Sequence, residues 1–80
     1  MIAVVKESSG SITSVDLKNM IITIEESKNN AYNFSDRTFV YDRNTQKHIK
    51  VKDLKKGGKV SFRHIIIGGR RIILSLDVLK

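Results

Sequence analysis

The segment "KVSFRHIIIGGRRIILSLDVLK" (59–80) decides the fold, because it reads as two strands joined by two glycines. Aliphatic and β-branched residues alternate with polar ones on both sides of the glycines, which is typical of a half-buried hairpin. A two-residue turn at the glycines would set Phe62 against Ser75. Because register follows the buried face, the sequence instead predicts Phe62 opposite Leu74, across a three-residue loop over 67–69.

This register predicts one inward-facing row of apolar side chains in the hairpin. His64 falls at the end of the row, near the mouth of the fold. The predicted members of the row are Val60, Phe62, Ile72, Leu74, Leu76 and Val78.

Three further strands are predicted upstream of the hairpin. Residues 11–16 and 20–26 form a first hairpin, whose turn carries Asp16 and Asn19. Residues 27–30 form the next turn. In the stretch 31–42, Tyr32 and Phe34 share one parity while Phe39 and Tyr41 share the other. Either a bulge at 35–38 brings all four to one side, or the stretch is two short strands.

The connection to the last hairpin predicts one turn of helix within 48–58. The helical turn places Val51 and Leu54 on one side. It ends at Gly57-Gly58, where glycine allows the left-handed conformation. Five antiparallel strands with a short helical turn between strands 3 and 4 describe a small all-β, OB-like barrel.

Size and composition limit the class of protein. Eighty residues predict a single OB-like domain over 1–80, with 1–9 either a short extra strand or a flexible start. There are no cysteines, so neither a disulfide nor a thiolate metal site is possible. No apolar run approaches the roughly 20 residues of a membrane span. The expected location is the cytoplasm, with a secreted domain cloned without its signal as the alternative.

Positive charge is concentrated in one part of the chain. The net charge is +7, yet residues 1–30 sum to −1 and residues 31–80 to +8. This asymmetry indicates an anionic partner, either single-stranded nucleic acid or an acidic protein. A solvated lysine surface kept for solubility is the alternative.

Three stretches resemble a known group of proteins. They are "SGSITSVDLKNMIITIEES" (9–27), "FSDRTFVYD" (34–42) and "KVKDLKKGGKVSFRH" (50–64). The likeness rests on Gly10, Val15-Asp16, Thr38, and the Asp53-Leu54-Lys55 run that precedes Gly57 and Val60. The chain resembles small bacterial OB-like barrels of unknown function over about residues 10–79. It is also similar to the small copper-binding barrel proteins of the bacterial periplasm.

The copper-binding resemblance implies a site of methionine thioethers and a histidine beside a tryptophan. This chain has no tryptophan, and its methionines are Met1 and Met20. Met20 and His64 do not make a complete soft-metal site, so we predict no metal and no cofactor. We also predict no enzymatic activity, because Ser61, Ser75 and Asp77 face outward in the predicted register while His64 faces inward.

The predicted function is therefore low-specificity binding of single-stranded DNA or RNA, with a structural or protein-interaction domain as the alternative. Exposed aromatic rings would stack on bases, and cationic side chains would contact phosphates. The candidate residues are Lys18, Tyr32, Tyr41, Lys47, Lys50, Lys52, Lys55, Lys56, Lys59, Arg63, Arg70 and Arg71.

Overall fold

The structure, a computed structural model, describes residues 4–26 and 28–80. Seven strands form one sheet in the order β3-β2-β1-β6-β7-β4-β5, and a bridge between Asn33 of β3 and Ile72 of β7 closes it into a barrel. A 3₁₀ turn, Val51–Asp53, precedes the last hairpin. The strands are β1 Val5–Asp16, β2 Ile21–Glu25, β3 Asn29–Asn33, β4 Phe39–Asp42, β5 Lys47–Ile49, β6 Lys59–Ile67 and β7 Arg70–Val78.

The predicted small all-β barrel with one helical turn is confirmed, but its strands are divided differently. The predicted third strand is two strands, β3 and β4, and a further short strand, β5, forms between β4 and the 3₁₀ turn. β4 pairs with β7 in parallel rather than antiparallel.

The structure describes only part of the predicted start, 1–9, and of the predicted turn, 27–30. Residues 5–9 are the first part of β1, while residues 1–3 of the expected start lie outside the described residues. Residue 27 of the expected turn also lies outside them, and Asn29 and Asn30 already belong to β3. Across residues 4–26 and 28–80, no helix is long and apolar enough to span a membrane.

The β6–β7 hairpin corrects the predicted register. Gly68 (φ 56°) and Gly69 (φ 79°) form a two-residue turn that pairs Ile67 with Arg70, so the three-residue loop is wrong. A bulge between Arg63 and His64 then shifts the ladder, and Phe62 faces Leu76 rather than Leu74 or Ser75.

The bulge changes the inward row of β7. Ile73 (1% exposed) replaces Ile72 in the core, and Leu74 is 41% exposed. The predicted inward row of β6 is confirmed, because Val60, Phe62 and His64 are all buried. The bulge lets the glycine turn keep its preferred length while Phe62 still meets an apolar partner.

Thr38 explains why the predicted third strand is divided. Its hydroxyl accepts the Ser35 backbone N–H at 2.9 Å and donates to the Ile73 carbonyl at 3.1 Å. This tight turn separates β3 from β4, so the two aromatic pairs face opposite sides. Tyr32 and Phe34 enter the core, whereas Phe39 is 54% exposed, and the predicted bulge that would align them is wrong.

Gly10 lies where β1 leaves β6 and joins β2. Residues 5–11 of β1 pair with β6, and residues 11–16 pair with β2. A Cβ atom at Gly10 would overlap the Glu25 carbonyl oxygen and lie 2.7 Å from Ile24 Cγ2. The close approach of these strands therefore requires glycine.

The polar turns follow the predicted chemistry. Asp16 accepts hydrogen bonds from the Asn19 backbone N–H at 3.1 Å and from its side-chain amide at 2.8 Å. Gly57, after the 3₁₀ turn, has the expected left-handed conformation with φ 88°.

Candidate functional site

Tyr32, one of the two aromatic residues predicted to be exposed, belongs to the core. It is 3% exposed, and its ring contacts Phe62 edge-on with centroids 4.9 Å apart. It therefore cannot stack on a base without unfolding of this end of the barrel. Tyr41, the other predicted ring, is half-buried on the outer face of β4.

Tyr32 is part of a polar cluster that also contains Glu26, Asn30 and His64. The Tyr32 hydroxyl donates to Glu26 Oε2 at 2.7 Å, and the Asn30 amide donates to the same oxygen at 2.8 Å. Burial, followed by the bond to Glu26, raises the pKa of Tyr32 to about 12. Burial opposes ionisation of Glu26, but these hydrogen bonds outweigh it and hold the pKa of its carboxyl below the ordinary value.

His64 is more deeply buried than the predicted rim position. It is 5% exposed, its ring lies 5.1 Å from that of Tyr32, and its buried Nδ1 has no hydrogen-bond partner among the described residues. Burial lowers the pKa of His64, and the charges of Lys6 and Arg71 add to this against the opposing effect of Glu26. His64 is therefore a neutral core residue at physiological pH.

The arginines predicted to bind a ligand are partly engaged within the protein. Arg71 Nη1 donates to Asn30 Oδ1 at 3.0 Å, and its guanidinium lies 5.9 Å from the centroid of the Tyr32 ring. Arg63 pairs with Glu7 at 3.0 Å on the surface. Arg70 is exposed beside the glycine turn.

The predicted lysines form a different kind of surface. Lys47, Lys50, Lys52, Lys55, Lys56 and Lys59 are all exposed along β5, the 3₁₀ turn and the start of β6. Asp53 accepts the Lys50 backbone N–H at 3.0 Å and so caps the 3₁₀ turn. In the described part of the chain, both salt bridges are made by arginines, which leaves these ammonium groups available.

A groove connects some of these lysines with Lys18, which the sequence placed in a separate loop. It is an open groove of about 660 Å³ between the β1–β2 turn and the 3₁₀ turn. We call it the lysine-rimmed groove. Its rim includes Lys18, Lys50 and Lys52, its apolar lining is Leu17, Met20, Phe34, Ile49 and Val51, and Ser35, Asp36 and Thr38 complete it.

The turn chemistry of the chain positions this groove. The Asp16–Asn19 turn carries the exposed Leu17 and Lys18, and Met20 (φ 58°) accepts the Phe34 backbone N–H at 3.0 Å. Neither Arg70 nor Arg71 lines the groove. The structure thus joins Lys18 to the lysine segment and separates it from Arg70 and Arg71.

Two surface residues, Phe39 and His48, were missed by the sequence reasoning. The Phe39 ring packs edge-on against His48 at 4.5 Å, and Tyr41 lies 5.3 Å from His48 on the other side. The opposite parity of Phe39 and Tyr32 was the available signal. The predicted bulge at 35–38 removed this signal, whereas the alternative of two short strands keeps it.

The residues considered for a catalytic triad do not come together, and no metal cluster forms among the described residues. Ser61 and Asp77 pair across the outer face of the β6–β7 ladder, while His64 is buried inside. Among residues 4–26 and 28–80, no three His, Cys, Asp or Glu side chains are grouped to hold a metal. The absence of a metal site stays a prediction.

Comparison with known proteins gives a structural likeness. No family model matches the sequence, and no curated protein matches it. Apo-CusF from Escherichia coli is similar in structure, with a TM-score of 0.75 at 17% identity over 99% of this chain and 92% of that one. CusF with Cu(II) and a tryptophan-to-alanine substitution has a TM-score of 0.74 at 18% identity, over 95% of this chain and 92% of that one. Ag(I)-bound CusF has a TM-score of 0.73 at 18% identity, over 94% of this chain and 97% of that one. At this identity the likeness establishes the fold.

Proposed function

We propose that residues 1–80 act as one non-enzymatic interaction domain, which binds an acidic segment of another protein through the lysine-rimmed groove. The observation that carries this proposal is the joining of Lys18 to Lys50 and Lys52 around an apolar lining. An acidic segment with an apolar side chain complements both parts of this surface.

The chemistry of the groove favours a partner that is both anionic and apolar. Leu17 is 52% exposed, and Phe34 and Met20 line the same groove, so an entering aliphatic side chain would gain apolar contact. The lysines at the rim would attract carboxylates during the encounter and orient the bound segment. Asp36 is the one acidic side chain in the groove lining.

Metal binding is not transferred from the CusF structures to this chain. A soft metal needs thiolate, thioether or imidazole ligands in one place. Met20 is the one methionine in the described part of the chain, and His64 lies in the core.

Single-stranded nucleic acid is the second candidate partner. It is favoured by the exposed Phe39 ring, which packs on His48 next to Lys47 in the sequence. In this alternative Phe39 replaces Tyr32 as the stacking residue, and the lysines contact phosphates. The cytoplasmic location stays a prediction, with a secreted domain as its alternative.

The two candidates are separated by titration with defined probes. One probe is a labelled peptide that alternates glutamate and leucine, and its matched control replaces each leucine by serine. The nucleic-acid probe is an oligo-dT of about 20 nucleotides, longer than the roughly 4–16 nucleotides of an OB-fold site. We expect the leucine peptide to bind more tightly than the serine peptide, since both carry the same charge.

Charge-reversal variants then locate the site. Lys50→Glu with Lys52→Glu should lower affinity for the leucine peptide by at least about tenfold, equivalent to about 1.4 kcal/mol. Lys55→Glu with Lys56→Glu changes the net charge equally outside the groove lining and should have a much smaller effect. Equal losses in both variants would contradict the groove. Oligo-dT binding without peptide binding, with a salt slope of about −0.7 per phosphate, would favour the second candidate.

A further inference from the structure

The outer face of the barrel carries two ordered rows of side chains on adjacent strands. The strand register aligns Glu7, Arg63, Ser75 and Phe39 across β1, β6, β7 and β4. The next row aligns Ser61, Asp77, Tyr41 and His48 across β6, β7, β4 and β5. Neither the lysine-rimmed groove nor the buried cluster at Tyr32 includes these rows.

An open bowl of about 600 Å³ lies over the first row and over Ser61 and Asp77 of the second. We call it the outer bowl. Ser61 and Ser75, both small and half-buried, contribute to its centre on neighbouring strands. The exposed ring of Phe39 contributes an apolar side, and the buried Phe62 and two ion pairs, Arg63–Glu7 and Arg43–Asp77, complete the lining.

The ion pairs make the outer bowl neutral, and they leave hydrogen-bonding capacity free. Glu7 uses Oε1 and Asp77 uses Oδ2 to accept from the arginines. Each carboxylate therefore retains an oxygen that can accept from a ligand. Arg63 donates to Glu7 through Nε, so its two terminal nitrogens can donate to a ligand.

We infer that the outer bowl binds a neutral, hydroxyl-rich ring, that is, one sugar unit of a glycan. A sugar hydroxyl both donates and accepts, so it matches carboxylates, guanidinium groups and serine hydroxyls in one bowl. The C–H face of the ring would lie against Phe39 and remove its exposed apolar surface from water. This site is independent of the acidic-partner proposal, which concerns another surface.

Charge separates the sugar from other ligand classes. An anion would meet Glu7 and Asp77 here, whereas the lysine-rimmed groove offers it three lysines against one acidic side chain, Asp36. An aliphatic ligand would leave the serine hydroxyls and ion pairs desolvated without hydrogen bonds. A neutral polyol satisfies these groups.

The test is an NMR titration of the full chain with neutral trisaccharides, namely maltotriose, cellotriose and chitotriose, with uridine as the comparison ligand. Work at about 1 M salt, where the Debye length is about 3 Å, suppresses charge-driven contacts. We expect at least one trisaccharide to shift the amides of Phe39, Ser61 and Ser75 with a Kd of about 1 mM, equivalent to about −4.1 kcal/mol.

Phe39→Ala should weaken this binding by about tenfold or more. Leu17→Ala is the matched control, because it removes a similarly exposed apolar side chain from the lysine-rimmed groove and should leave sugar binding unchanged. Three results would overturn the inference: no shifts with any trisaccharide at about 50 mM, well above that Kd; shifts outside the outer bowl; or tighter binding of uridine to it.

Discussion

Two cationic regions of the molecule use their charge differently. Near the β6–β7 turn, Arg71 donates to Asn30 at 3.0 Å and covers Tyr32, so its guanidinium is part of a packed end of the barrel. At the lysine-rimmed groove, the ammonium groups of Lys18, Lys50 and Lys52 surround an apolar lining. The net charge of +7 therefore overstates the charge available to a ligand.

The difference follows from what surrounds each group. The planar guanidinium of Arg71 can stack on an aromatic ring and bond an amide at the same time. A lysine ammonium is strongly hydrated and stays in water while its stem covers apolar surface. We therefore expect substitutions at the Tyr32 end to change stability, and substitutions at the groove to change binding.

The largest effect is expected for Phe62→Ala. Phe62 is 2% exposed and packs against both Tyr32 and His64, with centroids 4.9 and 5.6 Å away. Its truncation should lower the free energy of unfolding by about 3–5 kcal/mol, measured by urea denaturation. Phe39→Ala is the control, because this exposed ring should contribute no more than about 0.5 kcal/mol. Similar losses in the two variants would show that Phe62 is not in the core.

Tyr32→Phe should have the next largest effect. It keeps the ring and removes only the hydroxyl that donates to Glu26 at 2.7 Å. Hydrogen bonds to charged groups contribute about 1.5–3 kcal/mol, so we expect a loss of that order in urea denaturation. Tyr41→Phe is the matched control on the outer face and should change stability by less than about 0.5 kcal/mol. A silent Tyr32→Phe would mean that Glu26 is fully satisfied by water and Asn30.

The pH dependence of stability should reveal His64. Burial holds its pKa in the folded protein below 6.5, so the unfolded chain takes up the proton first as pH falls. The free energy of unfolding should therefore be unaffected by His64 above pH 6.5 and decrease as pH falls from there to the folded pKa. Glu26 acts in a lower window, because its stabilising effect is present above its unfolded pKa of 4.5 and is lost as pH falls through its folded pKa.

Substitutions distinguish the two histidines in this measurement. His64→Leu should remove the decrease that begins at pH 6.5, and His48→Leu, on the surface, is the control that should retain it. The expectation fails if His64→Leu, like the control, has the same pH profile as the parent chain.

The sequence predicted the local features well, because they depend on nearby residues. The left-handed Gly57 and the inward row of Val60, Phe62 and His64 follow from residue type and alternation, whereas the predicted three-residue loop over 67–69 was wrong. The position of the register shift could not be obtained in this way. It depends on whether the extra residue of the hairpin is accommodated in the turn or in a strand. The sequence predicted that Ile67 would enter the loop, whereas in the structure Leu74 of β7 forms the bulge.

The sequence named Lys18, Lys50 and Lys52 as candidate residues but did not predict that they share one groove. Lys18 meets Lys50 and Lys52 because β4 and β5 carry the 3₁₀ turn towards the β1–β2 turn, a long-range contact that alternation does not encode. The burial of Tyr32 depends on Glu26, which accepts from its hydroxyl group, and on Asn30, which donates to the same Glu26 oxygen. Without those partners a buried tyrosine hydroxyl would be costly, and alternation alone does not show that they lie nearby.

The smallest effects test the comparison of the two cationic regions directly. Arg71→Gln should lower the free energy of unfolding by about 1 kcal/mol, because it loses the bond to Asn30 and the contact with Tyr32. Lys52→Gln removes the same charge from the rim of the groove and should change stability by less than about 0.5 kcal/mol. Urea denaturation of both variants measures this difference, and the acidic leucine peptide should show the reverse order, with Lys52→Gln binding more weakly than Arg71→Gln. If Lys52→Gln destabilises the barrel as much as Arg71→Gln does, the groove lysines are structural and the two regions do not differ as argued.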